Sequence, residues 1–182
     1  MNEHKVVILG AMGAGKSTLV RAVAGGAVVD TDVVNTDASS SKLATTVAMD
    51  YADVNLPNGD RLRLYGTPGQ QRFSFIWPVL LQGARGVVIL ADASSPDVVQ
   101  ELQSYLLAVR EHAQGVPAVV GVSKFDMAPE VDLDSCQLKV QEIAGRPLPL
   151  VPIDARSEQA VMLLMDVLMG EVEAAALVDD HA

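Results

Sequence analysis

A chain of 182 residues that is 49% apolar is long enough for one domain with a sizeable buried core, and too apolar to be a disordered segment. Its 13 Lys and Arg against 23 Asp and Glu give a net charge of −10, and the basic residues are scattered, which argues against a nucleic-acid-backbone binder. The single cysteine, Cys136, excludes an intramolecular disulfide and a Cys-rich metal site and fits a reducing compartment.

The first apolar run, Val6-Val7-Ile8-Leu9, ends in glycine and reads as a strand buried on both faces. Residues 16–24 follow with helical spacing (Leu19, Val20, Val23), closed by Gly25-Gly26. Residues 30–45 are polar, rich in Ser, Thr and Asp, and without a clean period, so they read as a long loop of the kind that carries function. Two strand-like runs, 47–56 and 61–65, flank Pro57-Asn58-Gly59-Asp60, a hairpin signal. Residues 86–90, 118–122 and 150–153 read as further strands, and 97–114, 132–144 and 157–176 as helices. In the last of these Met162, Met165 and Met169 are expected on the buried face.

This alternation predicts an α/β fold: a mixed, mostly parallel six-stranded sheet with one antiparallel edge strand and helices on both faces. One domain is expected over residues 1–175, followed by an acidic flexible tail over 176–182. No apolar run approaches a membrane span or a signal peptide, and the two ends, Met1-Asn2 and Asp179-Asp180-His181-Ala182, carry no lipidation pattern. A cytoplasmic protein without lipid anchor or transmembrane segment is the expectation.

Gly10-Ala11-Met12-Gly13-Ala14-Gly15-Lys16-Ser17 matches G-x-x-x-x-G-K-[ST] in full, after a strand and opening a helix, with Thr18 following. Small residues let backbone N–H groups curl around phosphates, and the helix N-terminus adds the positive end of its dipole. Lys16 supplies a point charge to the outer phosphates, and the Ser17 hydroxyl is a Mg²⁺ ligand. The loop alone specifies a nucleoside triphosphate and leaves the base open.

Ser123-Lys124-Phe125-Asp126 follows a buried strand and resembles the Asn-Lys-x-Asp base-reading element of small GTPases. A carboxylate at Asp126 can accept hydrogen bonds from guanine N1–H and N2–H, which adenine does not offer, and the Lys124 stem can lie along the base. Ser123 stands where the family has Asn; it is shorter and has one donor, so a weaker tie to the phosphate loop is expected. Asp154-Ala155-Arg156 stands where the family has Ser-Ala-Lys, and the resemblance gives the Ala155 N–H to guanine O6.

With these motifs in order, the chain resembles a Ras-superfamily GTPase over residues 4–175. Leu64-Tyr65-Gly66-Thr67-Pro68-Gly69-Gln70-Gln71-Arg72-Phe73 resembles the second switch, and Thr45-Thr46-Val47-Ala48-Met49-Asp50 the end of the first. The pairing of T-T-V-A-M-D with Y-G-T-P-G-Q is most similar to the bacterial Ras-like proteins grouped with MglA and the conservon GTPases. That resemblance implies binding of GTP and GDP with Mg²⁺, switching between the two states, and a roadblock-type protein partner. It makes Thr46 a metal ligand, with Thr45 as the alternative. Gly69 would offer its N–H to the γ-phosphate, and Gln70 would orient the attacking water beside the charge of Lys16.

Two further departures from the family bear on metal binding and hydrolysis. Its usual Asp-x-x-Gly has an Asp where this chain has Gly66, with no carboxylate replacing it in register, so the metal is expected to rest on Ser17, Thr46, phosphates and waters. Asp92 is a candidate stand-in, against the simpler reading of a strand-end Asp. Met12 occupies a phosphate-loop position where many small GTPases need glycine, and it is expected to crowd Gln70. Together these predict unassisted hydrolysis at or below an order of about 10⁻⁴ s⁻¹.

Arg61, Arg63 and Arg72 are candidate charges for catalysis or partner contact, against the simpler reading of solvated surface arginines. Phe73, Phe75, Ile76, Trp77 and Leu80 suit either a core or a partner surface. His4, His112 and His181 are dispersed and make no zinc site. Two other classes stay open at this level: a pseudo-GTPase docking module that holds nucleotide without useful hydrolysis, and a P-loop kinase or ATPase, which lacks an arginine-rich lid here.

Overall fold

The computed structural model describes residues 2–25, 29–34 and 46–179. Its strands are β1 Glu3–Gly10, β2 Val29–Val34, β3 Thr46–Asn55, β4 Arg61–Gly66, β5 Gly86–Asp92, β6 Ala118–Ser123 and β7 Leu150–Pro152. Its helices are α1 Lys16–Val23, α2 Trp77–Leu81, α3 Val98–His112, α4 Leu133–Ala144 and α5 Glu158–Asp179. The strands form one sheet in the order β2-β3-β4-β1-β5-β6-β7.

The α/β class, the mostly parallel sheet and the helices on both faces are as expected; among the described residues the sheet has seven strands, one more than the expected six. The added strand, β2, lies largely in the stretch read as loop and pairs antiparallel with β3. β3 in turn pairs antiparallel with β4, and the remaining pairs are parallel. One strand therefore runs against the rest, as anticipated, but it is not the edge strand, because β2 covers it. In the sequence Val-Asp-Thr-Asp-Val-Val two carboxylates interrupt the β-formers and hide the strand period, and the pairing comes from the neighbouring strand instead. Residues 35–45, the rest of the expected loop, lie outside the described residues.

The continuous apolar runs are explained by two faces. Successive side chains of a strand point to opposite sides, so Val7 and Leu9 of β1 enter one core while Val6 and Ile8 enter the other. In β5, Val87 and Ile89 divide from Val88 and Leu90 in the same way. Helices α2, α3 and α4 close the first face through Trp77, Leu81, Leu102, Leu106 and Val140. Helices α1 and α5 close the second through Leu19, Val20, Val161, Leu164, Met165 and Leu168. Only Met165 of the methionine stripe is buried; Met162 is 42% exposed, because the inward face of α5 follows Val161, Leu164 and Leu168.

The hairpin forms as read: Leu56 and Asp60 are bridged by a 2.8 Å backbone hydrogen bond, and Gly59 takes the positive φ, 85°, that the turn requires. α5 runs to Asp179, so residues 176–179 of the expected tail are helical, and 180–182 lie outside the described residues. Among the described residues no helix is long and apolar enough to cross a membrane. The crowded aromatic stretch splits by packing, with a 3₁₀ segment over Gln71–Ile76 leading into α2. Phe73, Trp77 and Leu80 are buried, while Phe75 and Val79 are each 65% exposed.

Candidate functional site

β1 sits at the middle of the sheet with β4 on one side and β5 on the other, so connections leave it in both directions. The crevice at the carboxyl ends of such strands is where open α/β sheets bind ligands. Four of the predicted motifs leave a strand at that end: residues 10–17 after β1, 66–70 after β4, 123–126 after β6 and 154–156 after β7.

The phosphate loop turns on Gly13 (φ 82°) and Gly15 (φ 105°), two left-handed positions that glycine fills without strain. α1 starts directly at Lys16, and no side chain caps it. The Lys16 amine is buried inside the loop, donating to the Gly10 carbonyl at 2.6 Å and to the Ala11 carbonyl at 2.7 Å. Burial pushes its pKa down to about 8, against the pull of the Asp50 and Glu101 carboxylates.

A cleft of about 300 Å³ runs from this loop to the base-reading segments. Gly13, Ala14, Gly15 and Thr18 line one side; Ser123, Lys124, Asp126, Asp154, Ala155 and Arg156 line the other. The two sides touch: a Cβ on Gly15 would lie 2.8 Å from the Ala155 Cβ. The Ser123 hydroxyl lies 3.1 Å from the Ala14 carbonyl and 3.2 Å from that of Ala91, both acceptors for its one proton. The tie between base loop and phosphate loop therefore survives the Asn-to-Ser departure, in a form shared with β5.

Lys124 adopts a left-handed backbone (φ 57°), and its amine donates to Asp92 at 2.5 Å. Burial alone would raise the Asp92 carboxyl, but Lys124 and Ser94 together hold it below its ordinary value. Asp92 is thus committed to the base side of the site and is not the stand-in for the missing Asp. Asp126 is exposed at the cleft wall. Arg156 folds back onto Asp154 in a bidentate pair, 2.9 Å at both contacts, which lowers the Asp154 carboxyl and raises the guanidinium.

The second-switch segment lies directly on the phosphate loop. A Cβ on Gly69 would fall 2.5 Å from the Met12 nitrogen and 2.8 Å from the Lys16 amine, so only glycine fits there. The Gln70 amide stands 4.0 Å from the Met12 sulfur, and Met12 itself is 72% exposed. Arg61 and Arg63 pair with Glu3 at the opposite end of β1, and Arg63 also with Asp53, so both are structural charges. Arg72 lies over the ring of its neighbour Phe73 at 4.8 Å.

The residue that sequence reading missed is Asp50. It is the cross-strand partner of Gly66, and its Oδ2 accepts from the Ser17 hydroxyl at 2.6 Å. No carboxylate was expected in register with Gly66; the structure sets one beside it, from the adjacent strand. The signal was present only in the pairing of β3 with β4, which motif spacing does not report. Ser17 and Asp50 offer oxygen donors alone, a set suited to a hard cation such as Mg²⁺. Among the described residues no cluster of three His, Cys, Asp or Glu could hold a metal unaided, so phosphate oxygens would have to complete the shell. Thr45 and the side chain of Thr46 lie outside the described residues; the Thr46 backbone opens β3 opposite Val34.

Comparison with known proteins places this geometry in a family. Residues 27–167, beginning beyond the phosphate loop and including both base-reading segments, match the family described as conserved hypothetical ATP binding protein. The Ras-related protein RabC of Dictyostelium discoideum is 22% identical over 179 residues, covering 94% of this chain and 84% of that protein. The Ras-related protein Rab-18-B of Danio rerio is 30% identical over 105 residues, covering 56% of this chain and 46% of that protein. Elongation factor 4 of Leptospira biflexa is 29% identical over 121 residues, and the chain spans only 20% of its length. The chain belongs to the family described as conserved hypothetical ATP binding protein, and its architecture is that of a Ras-superfamily G domain.

Proposed function

We propose that the chain is a single P-loop G domain that binds GTP and GDP with Mg²⁺ and acts as a regulatory switch. The observation that carries this reading is the one cleft shared by the phosphate loop, Asp126 and the 154–156 turn. A glycine-rich loop of the phosphate-binding pattern and the Asp126 carboxylate line the same cleft, which supports a ligand that carries both phosphates and a base.

In this reading the backbone of residues 10–15 and the Lys16 amine hold the phosphates, Asp126 reads guanine, and Lys124 flanks the base. Ser17 and Thr46 would hold Mg²⁺, which when bound neutralises charge on the phosphate oxygens. Gly69 offers its N–H to the γ-phosphate, and Gln70 orients the attacking water. Hydrolysis is slow until a partner assists, and loss of the γ-phosphate releases both switch loops. The pairing of T-T-V-A-M-D with Y-G-T-P-G-Q supports a bacterial, cytoplasmic member grouped with MglA and the conservon GTPases, working with a roadblock-type protein.

The test is equilibrium binding of mant-GTP with ATP as competitor, followed by phosphate release. GTP is expected to bind about a hundredfold or more tighter than ATP, because a site built around base hydrogen bonds rejects the analogue that leaves them unmade. Equal affinities would favour the ATP-binding reading that the family's description suggests. GTP binding without phosphate release, even with a partner present, would leave a docking module.

A further inference from the structure

We infer that Asp50 is the carboxylate that positions the divalent cation in this chain, working from β3 in place of the acidic residue that position 66 lacks. The inference rests on the nucleotide-and-metal reading above. Three observations carry it. Asp50 and Gly66 are directly paired across the β3–β4 ladder, so one can project into the space beside the other. A Cβ built on Gly66 would stand 3.1 Å from the Asp50 Cβ and 3.2 Å from its Oδ2, so the Asp50 side chain already fills that space. Its Oδ2 is held 2.6 Å from the Ser17 hydroxyl, the phosphate-loop oxygen nearest the expected cation.

Glycine at 66 is therefore the other half of the arrangement. Any side chain there would press on Asp50, and an acidic one would set two carboxylates side by side, which disfavours ionisation of both. Asp50 needs no direct bond to the ion. A carboxylate beside the Ser17 hydroxyl can orient that hydroxyl and accept from water carried on the cation, and outer groups of this kind tune metal affinity.

The experiment is the release of mant-GDP from the full chain over a Mg²⁺ titration, with Mn²⁺ binding to the GDP complex followed by electron paramagnetic resonance. Wild-type release is expected to slow as Mg²⁺ rises. In Asp50→Asn the half-effective Mg²⁺ concentration should rise by about 10–100-fold, with a parallel loss of bound Mn²⁺ signal. In EDTA, where no cation is held, the variant should differ from wild type far less than it does in Mg²⁺, and the ratio of the two effects separates loss of the cation from a general loosening of the phosphate loop. Exchanging the pair, Asp50→Gly with Gly66→Asp, should restore part of the Mg²⁺ response, which a merely structural role for Asp50 would not do. Thermal melts report folding, with Asp50→Ser as the second variant if Asn perturbs the strand. A Mg²⁺ response that survives in Asp50→Asn within about twofold overturns this inference alone. A wild-type chain that binds mant-GDP at no Mg²⁺ concentration overturns the nucleotide reading and this inference with it.

Discussion

The Ser123 hydroxyl and the Ala14 carbonyl, 109 residues apart in sequence, meet at 3.1 Å and join the base-reading loop to the phosphate loop. Ser123 is 4% exposed, and its other acceptor, the Ala91 carbonyl, is equally shut off from water. Ser123→Ala removes the hydroxyl donor that these two carbonyls share. Stability should fall by about 1–2 kcal/mol, measured by urea unfolding, and mant-GDP should dissociate faster. If the unfolding midpoint moved while the dissociation rate did not, the contact would be a fold device with no part in holding nucleotide.

Asp126 tests base choice without disturbing the fold, because it is exposed at the cleft wall and outside the core. Asp126→Ala should weaken GTP by about 10²-fold or more while ATP changes little, narrowing the ratio between them. Competition of both nucleotides against a fluorescent analogue gives that ratio directly. An unchanged ratio would move base recognition to the 154–156 turn.

These two residues also mark how far the sequence could be read. The phosphate loop was legible because its chemistry is local: eight consecutive residues between a buried strand and a helix leave few other readings. The base segments were legible by order and spacing, since each follows a strand of the parallel sheet. Asp50 was not legible, because its role depends on register with Gly66 across the β3–β4 ladder, and register is set by non-local pairing. The same limit hid β2, whose two aspartates look like loop until the neighbouring strand is in place. It also left Phe73 and Phe75 indistinguishable as sequence, although packing puts one inside and the other 65% exposed.

Lys16 ties nucleotide affinity to pH. Folding takes its pKa from 10.5 down to about 8, chiefly through burial. Arriving phosphates favour the charged amine, so binding should take up a proton near pH 8, and affinity should fall by up to about tenfold per unit above it. The nucleotide-free protein moves the other way. Between pH 8 and 10.5 the unfolded chain keeps this proton and the folded chain loses it, so Lys16 contributes rising stability across that window. Calorimetric titrations in two buffers of different ionisation enthalpy measure the uptake, and Lys16→Met should abolish it. Identical apparent enthalpies in both buffers would exclude the linkage.

Met12 is where grip and catalysis separate. Its backbone belongs to the phosphate loop, but its side chain is 72% exposed and its sulfur stands 4.0 Å from the Gln70 amide. A contact at that distance is weak, but in the proposed switch the side chain would stand where the glutamine turns to orient water. Met12→Gly removes the volume and leaves every backbone N–H in place, so nucleotide affinity should change by less than about threefold. Single-turnover phosphate release should rise, by about tenfold if crowding of Gln70 limits the step. The gain must also depend on the glutamine. In the double variant Met12→Gly with Gln70→Ala the rate should drop to that of Gln70→Ala alone, which a general loosening of the loop would not produce.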